Sequence, residues 1–273
     1  MHSQLVDQFF RQDRLPHIWC PGCGHGIIMR AMVKAIEAMG WNKDEVVVVS
    51  GIGCSSRAPG YLDFNTLHTT HGRALAFATG VKLANPNLKV IVVSGDGDAS
   101  AIGGNHLIHA ARRNIDITTI VFNNNIYGMT GGQYSPTTPT NEKGTTAPHG
   151  NIDMPFDIAH LAASAGATYA GRTTAFHATQ MEKMITKAMA HKGFSLVEAI
   201  SVCPTYYGRK NKKGSVVDMM TWLKDSFIDV KVADKLPEEK KASKLLMGEF
   251  KCVEAPEYTE QYQQIIDRFA EDK

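Results

Sequence analysis

Apolar residues fall along this chain in short, nearly continuous runs. Val46–Ser50, Lys89–Ser94, Ile117–Phe122 and Ser195–Ser201 are rich in β-branched residues and bounded by glycine or polar turns, which predicts strands. A fifth strand is expected over 167–171. Elsewhere apolar positions recur at helical spacing, which predicts helices over 26–39, 73–84, 104–114, 156–165, 175–191 and 216–226. Strands alternating with helices argue for parallel order, so the expected fold is α/β with a doubly wound, mostly parallel sheet. Met181, Met184 and Met189 lie on the helix over 175–191 and read as core packing. Two connections are long, Gly53 to Gly72 and Gly128 to Asp153, and both leave strand carboxyl ends, where long loops usually carry function. Past residue 230 the character changes, and Lys235-Leu236-Pro237-Glu238-Glu239-Lys240-Lys241 is a solvated, charged segment. The expected organisation is a domain over 1–230 and a charged extension over 231–273.

The bulk properties narrow the classes of function. With 273 residues, 43% hydrophobic, the chain can bury one sizeable core. A net charge of +2 gives no case for nucleic acid or a membrane surface as partner. No apolar stretch reaches the length of a membrane span, and Asp7, Arg11, Asp13 and Arg14 are unlike a signal peptide. The expected location is the cytoplasm, whose reducing conditions suit cysteines that hold metals rather than disulfides.

Two constellations carry chemistry. Gly95-Asp96-Gly97 follows one strand and Asn123-Asn124-Asn125 follows the next, with helix-like sequence between. Adjacent parallel strands open a ligand crevice at their carboxyl ends. An Asp carboxylate, an Asn oxygen and a nearby carbonyl supply three hard oxygens, half of an octahedral Mg²⁺ shell that phosphate and water usually complete. The glycines let a phosphate approach the backbone closely. Alone, the Gly-Asp-Gly element fits a plain helix cap as well; the amide cluster at the next strand end favours the metal. The second constellation is Cys20-Pro21-Gly22-Cys23, with Cys54 and Cys203 each just past a predicted strand. All four then meet at the edge that carries Asp96. A zinc knuckle, a redox dithiol and iron–sulfur ligation all remain open on spacing alone. Cys252 lies in the polar tail and reads as a spare thiol.

The Gly-Asp-Gly to Asn-Asn pattern resembles the diphosphate–Mg²⁺ motif of thiamine diphosphate enzymes. Carried over by position, the resemblance implies Asp96, Asn124 and the Ile126 carbonyl as Mg²⁺ ligands. It implies Asp98 and Thr130 as diphosphate contacts and His71 as a further cofactor contact, with Gly53, Gly95, Gly97 and Met129 around the cofactor. The segments Trp19-Cys20-Pro21-Gly22-Cys23-Gly24-His25-Gly26, Gly51-Ile52-Gly53-Cys54-Ser55 and Val202-Cys203-Pro204-Thr205 resemble the β subunit of 2-oxoacid:ferredoxin oxidoreductases, over about residues 16–210. The resemblance implies a [4Fe-4S] cluster on Cys20, Cys23, Cys54 and Cys203. It implies reversible oxidative decarboxylation of a 2-oxoacid with coenzyme A (CoA), electrons passing to ferredoxin. Among members the 2-oxoglutarate enzymes look closest. Arg57, three residues past Cys54, is a candidate for the distal carboxylate of such a substrate. Met129 is apolar where pyruvate enzymes tend to carry a polar residue. The family places the pyrimidine-binding domain on a larger α subunit, so a dimer of αβ units is expected. Pyruvate or a branched-chain 2-oxoacid is the alternative substrate. The alternative classes are the diphosphate-binding subunit of a non-redox thiamine decarboxylase with zinc on the cysteines, and an electron-transfer subunit without thiamine.

Overall fold

The computed structural model describes residues 4–241 and 243–271. Among the described residues ten strands form in chain order: β1 Val46–Ser50, β2 Asn65–His68, β3 Lys89–Gly95, β4 Thr118–Asn123, β5 Ile126–Tyr127, β6 Gln133–Tyr134, β7 Tyr169–Thr174, β8 Ser195–Ile200, β9 Phe227–Asp229 and β10 Leu245–Cys252. Eight of them make one sheet in the order β2-β1-β3-β4-β8-β7-β10-β9, and β5 with β6 forms a separate ribbon. From β2 to β7 every neighbour is parallel. Within it β1, β3, β4 and β8 are covered on both faces, which is why those four read as nearly unbroken apolar runs.

Successive side chains along a strand point to opposite faces, so each strand feeds two cores. On one face Val46, Val48, Ile91, Val93, Ile120, Phe122 and Val197 pack under the helices His25–Met39 and Ala178–Ala190. On the other, Val90, Val92, Val121 and Leu196 pack under Ala74–Ala84, Gly104–Arg112 and Ile158–Ala165. The expected doubly wound arrangement is the observed one. Gly24, at φ 87, turns the chain from the Cys20–Cys23 segment into the helix His25–Met39; a Cβ there would stand 2.7 Å from Ala175. Only glycine meets both demands.

Three expectations change. The strand expected over 167–171 lies at Tyr169–Thr174, because Arg172, Thr173 and Thr174 are buried where their polarity reads as a turn. The connection Gly53 to Gly72 contains β2, whose half-exposed Asn-Thr-Leu-His sequence has no apolar signal. The boundary at residue 230 is not a division of the fold. β10 pairs antiparallel with β7, and Met247 is buried. The Arg172 guanidinium donates to the Leu246 carbonyl (3.1 Å), so a buried charge in β7 helps hold the tail in place. Beyond β10 the buried Glu257 accepts from the Asp116 amide (3.0 Å) before the helix Tyr258–Glu271 begins.

Candidate active site

β1, β3 and β4 lie side by side, so the turns after Ser50, Gly95 and Asn123 converge at one edge of the sheet. They enclose a cavity of about 310 Å³. Gly53, His71, Gly95, Asp96, Gly97, Asp98, Asn124, Ile126, Met129 and Thr130, all singled out in the sequence, line it together. At Gly97 a Cβ would stand 2.3 Å from the Tyr127 ring, whose hydroxyl donates to the Gly97 carbonyl (3.1 Å).

Asp96 is buried on the cavity wall. Burial pushes its carboxyl up to about 6, against the lowering effect of hydrogen bonds from Ser135 and Thr137. Those hydroxyls reach Asp96 Oδ2 at 2.5 Å and 2.7 Å. Asn124 Oδ1 accepts from the Ile126 amide (3.2 Å), which closes the turn around Asn125, itself at φ 60. Left-handed backbone is one that Asn tolerates. A carboxylate and an amide oxygen are hard donors, and the Ile126 carbonyl is near in sequence; this set fits a divalent cation with its phosphate.

Asp98 takes a different part from the one expected. Its Oδ2 accepts from Ser94 Oγ (2.6 Å), and its Oδ1 from the amides of Gly72 (2.7 Å) and Ile52 (3.2 Å). His71 Nδ1 lies 2.7 Å from Oδ1. A carboxyl group so committed braces three loops together at the cavity edge. Thr130 is exposed and its hydroxyl is engaged with Gln133 Oε1 (2.7 Å).

Cys20, Cys23, Cys54 and Cys203 line a second cavity of about 210 Å³. It shares His25, Cys54, Asn124, Gly128 and Met129 with the Asp96 cavity, so a single layer of residues separates the two. The Thr205 hydroxyl donates to Cys20 Sγ (3.1 Å) and the His25 amide to Cys23 Sγ (3.5 Å). Burial, reinforced by the neighbouring thiols, pushes Cys54 up to about 12; Cys23 rises to about 11 from burial foremost. Such thiols become thiolates when a cationic centre compensates them. Among the described residues no three His, Cys, Asp or Glu side chains converge as the ligands of a single metal ion. Four thiols lining one cavity are a soft donor set of the kind that holds zinc or an iron–sulfur cluster.

Arg57 departs from expectation. Its side chain lines a separate cavity with Arg11, Arg14 and His68, away from Asp96, and has no hydrogen-bond or ion-pair partner among the described residues. Arg57 ends the 3-10 turn Ser55–Arg57 that follows Cys54, and it is exposed. Sequence reasoning also missed Ser135, Thr137, Glu198 and Arg172, and gave Asn123 no role of its own. Asn123 Nδ2 donates to Glu198 Oε1 (2.7 Å), and Glu198 Oε2 accepts from Arg172 Nε (2.7 Å). The hydroxyl-rich run Tyr134-Ser135-Pro136-Thr137-Thr138 was the available signal for the first pair.

Comparison with known proteins agrees with this geometry. Residues 51–199 match the family described as thiamine pyrophosphate enzyme, C-terminal TPP binding domain. The chain is 52% identical over 260 residues to the 2-oxoglutarate synthase subunit KorB of Methanothermobacter marburgensis, covering 95% of this chain and 91% of that one. It is 51% identical to the protein of the same name from Methanocaldococcus jannaschii, over 98% of each. Among solved structures it is similar to 2-oxoglutarate:ferredoxin oxidoreductase from Magnetococcus marinus with 2-oxoglutarate, coenzyme A and succinyl-CoA bound. That match has 32% identity and a TM-score of 0.86, and covers 99% of this chain and 92% of the other.

Proposed function

This chain belongs to the thiamine pyrophosphate enzymes and, among them, to the β subunits of the 2-oxoacid:ferredoxin oxidoreductases, and we propose on that footing that it carries the reaction site of a CoA-acylating 2-oxoglutarate oxidoreductase. The balanced reaction takes 2-oxoglutarate, CoA and two oxidised ferredoxins to succinyl-CoA, CO₂, two reduced ferredoxins and a proton. The observation that carries the redox reading is the shared wall between the Asp96 cavity and the four-cysteine cavity.

Thiamine diphosphate, when bound, supplies an electron sink at the carbon that loses CO₂. Asp96, Asn124 and the Ile126 carbonyl would hold Mg²⁺, which neutralises the diphosphate. Gly97 lets the Tyr127 ring pack directly on the loop and Gly95 leaves room for the Ser55 hydroxyl, so both glycines shape the cavity wall. His71 and Tyr127, ring against ring at 5.8 Å, border the same cavity. Phe122, Ile126 and Met129 make its apolar side and limit water. Cys20, Cys23, Cys54 and Cys203 would hold a [4Fe-4S] cluster, with Thr205 and the His25 amide donating toward its sulfurs. The cluster's place behind the wall suits removal of electrons one at a time. The partner would be a larger α subunit that supplies the pyrimidine-binding half together with the activating base. Two αβ units pairing and ferredoxin as acceptor belong to the same proposal, as does the cytoplasm; among the described residues no helix is long and apolar enough to cross a membrane.

The test is anaerobic purification of the αβ complex with iron, acid-labile sulfide, zinc and thiamine measured on one sample. About four irons and four sulfides with one thiamine diphosphate per β chain is the expected outcome. Thiamine with zinc and no sulfide would replace this reading by a non-redox decarboxylase.

A further inference from the structure

The long connection after Gly128 returns to the sheet edge and places Ser135, Thr137 and Thr138, all buried, against both loops that carry the oxygen ligands. Ser135 Oγ and Thr137 Oγ1 both reach the same oxygen of Asp96, Oδ2. Thr137 Oγ1 also lies 3.1 Å from Asn123 Oδ1, so its one proton serves the carboxylate after β3 or the amide after β4. Thr138 Oγ1 donates to the Asn125 carbonyl (2.6 Å), inside the turn whose left-handed residue separates Asn124 from Ile126. This short turn is itself fixed: the Ser135 amide donates to Thr138 Oγ1 (2.8 Å), and Asn151 Nδ2 donates to the Thr138 carbonyl (2.8 Å).

Asp96 and Asn124 sit on different loops, brought side by side by the pairing of β3 with β4 up to Gly95 and Phe122 and by the Asn124 amide, which donates to the Asp96 carboxyl; the Ser135–Thr138 turn adds a second tie from outside both loops. We infer that Ser135 and Thr137 are positioning residues for the metal–diphosphate site: they hold Asp96 Oδ2, leave Oδ1 without a side-chain donor, and clamp the Asp96 loop to the Asn123–Asn125 turn. An octahedral Mg²⁺ with ligand distances near 2.0–2.1 Å tolerates little slack in its oxygens. Outer partners that orient ligating carboxylates typically contribute 10- to 100-fold in metal affinity. The inference rests on the Mg²⁺–thiamine diphosphate reading proposed above.

The experiment measures thiamine diphosphate binding to the metal-stripped αβ complex as Mg²⁺ is added, in wild type, Thr137→Val, Thr137→Ser and Ser135→Ala. Valine keeps the volume and removes the hydroxyl. Thr137→Val and Ser135→Ala each raise the Mg²⁺ concentration for half-saturation about tenfold or more, while Thr137→Ser stays near wild type. Excess Mg²⁺ restores the turnover number, which a misfolded subunit would not show, and the iron content is unchanged. Wild-type Mg²⁺ dependence in both Thr137→Val and Ser135→Ala overturns the clamp and leaves the proposed function standing. Should Thr137→Val fail to assemble, Ser135→Ala against Thr137→Ser decides the question on the same scale. Thiamine binding by wild type that ignores Mg²⁺ would instead overturn the reading on which the clamp rests.

Discussion

Glu198 offers a perturbation whose cost follows from geometry. Its carboxylate, 1% exposed, accepts from Arg172 Nε on one oxygen and from Asn123 Nδ2 on the other, both at 2.7 Å. Arg172, 8% exposed, spends its remaining donors on the Leu246 carbonyl and on Asp157. Glu198→Ala therefore strands most of a buried guanidinium and unties the amide ladder beside the cofactor cavity. Breaking a buried pair costs about 3–5 kcal/mol; Asp157 still faces Arg172, which argues for about 3. At roughly 2–4 °C per kcal/mol for a chain of this size, the unfolding midpoint should fall by about 6–12 °C. Arg172→Met should cost a similar amount. The double variant Arg172→Met with Glu198→Leu removes both charges and should be more stable than either single variant, since well-packed apolar replacement of a buried pair is often neutral. The assay is thermal unfolding of the anaerobic αβ complex, with thiamine diphosphate affinity measured beside it. The double variant should recover stability without recovering affinity, because Asn123 still lacks its partner. A midpoint for Glu198→Ala within about 1 °C of wild type, or a double variant as unstable as the sum of the singles, would refute the reasoning.

Asp96, raised to about 6 chiefly by burial, must lose its proton to bind a cation. Its folded value lies above the unfolded one near 3.9, so its own contribution to stability is present at low pH and lost as pH rises through 6. Mg²⁺ affinity should correspondingly fall about tenfold per unit below pH 6 and level off above it; a Mg²⁺ titration that is flat down to about pH 5 would contradict the assignment. Cys54→Ser should empty the four-cysteine cavity of iron, whereas Cys252→Ser, at an exposed position ending β10, should leave iron content at the wild-type level. Lys82, 2% exposed, pairs with Asp116 at 2.7 Å and donates to the Leu88 carbonyl at 2.9 Å. Asp116→Ala should cost about 3 kcal/mol or more by leaving that ammonium unpaired, and Lys82→Met should cost distinctly less in the same unfolding measurement; equal losses would show that the ion pair is not the source.

What could be read from the sequence was whatever the buried parallel sheet imposes locally. β1, β3, β4 and β8 are covered on both faces, so their apolar runs are unambiguous, and the residues at their carboxyl ends fall at one edge by topology alone. Asp96, Asn124, Cys54 and Cys203 therefore fall together by topology, while Cys20 and Cys23 join them only through the family resemblance. Features that depend on distant partners were not legible. Arg172 hides in β7 because Glu198 and Asp157 neutralise it, and its polarity shortens the strand to the eye. β10 follows a charged segment and is held by a strand far earlier in the chain, so its sequence reads as tail. Ser135 and Thr137 look like ordinary turn residues until the loop folds back on Asp96. For Arg57 the limit is complementary: proximity to Cys54 in sequence does not say which cavity a long side chain lines, and it lines the one with Arg11, Arg14 and His68.

The central claim is that substrate electrons cross the wall formed by His25, Cys54, Asn124, Gly128 and Met129. Mixing the anaerobic αβ complex with 2-oxoglutarate, without ferredoxin, and recording electron paramagnetic resonance tests it directly. The account predicts a reduced-cluster signal that appears with CO₂ release and disappears when ferredoxin is added. CO₂ released with no change in the cluster would contradict it.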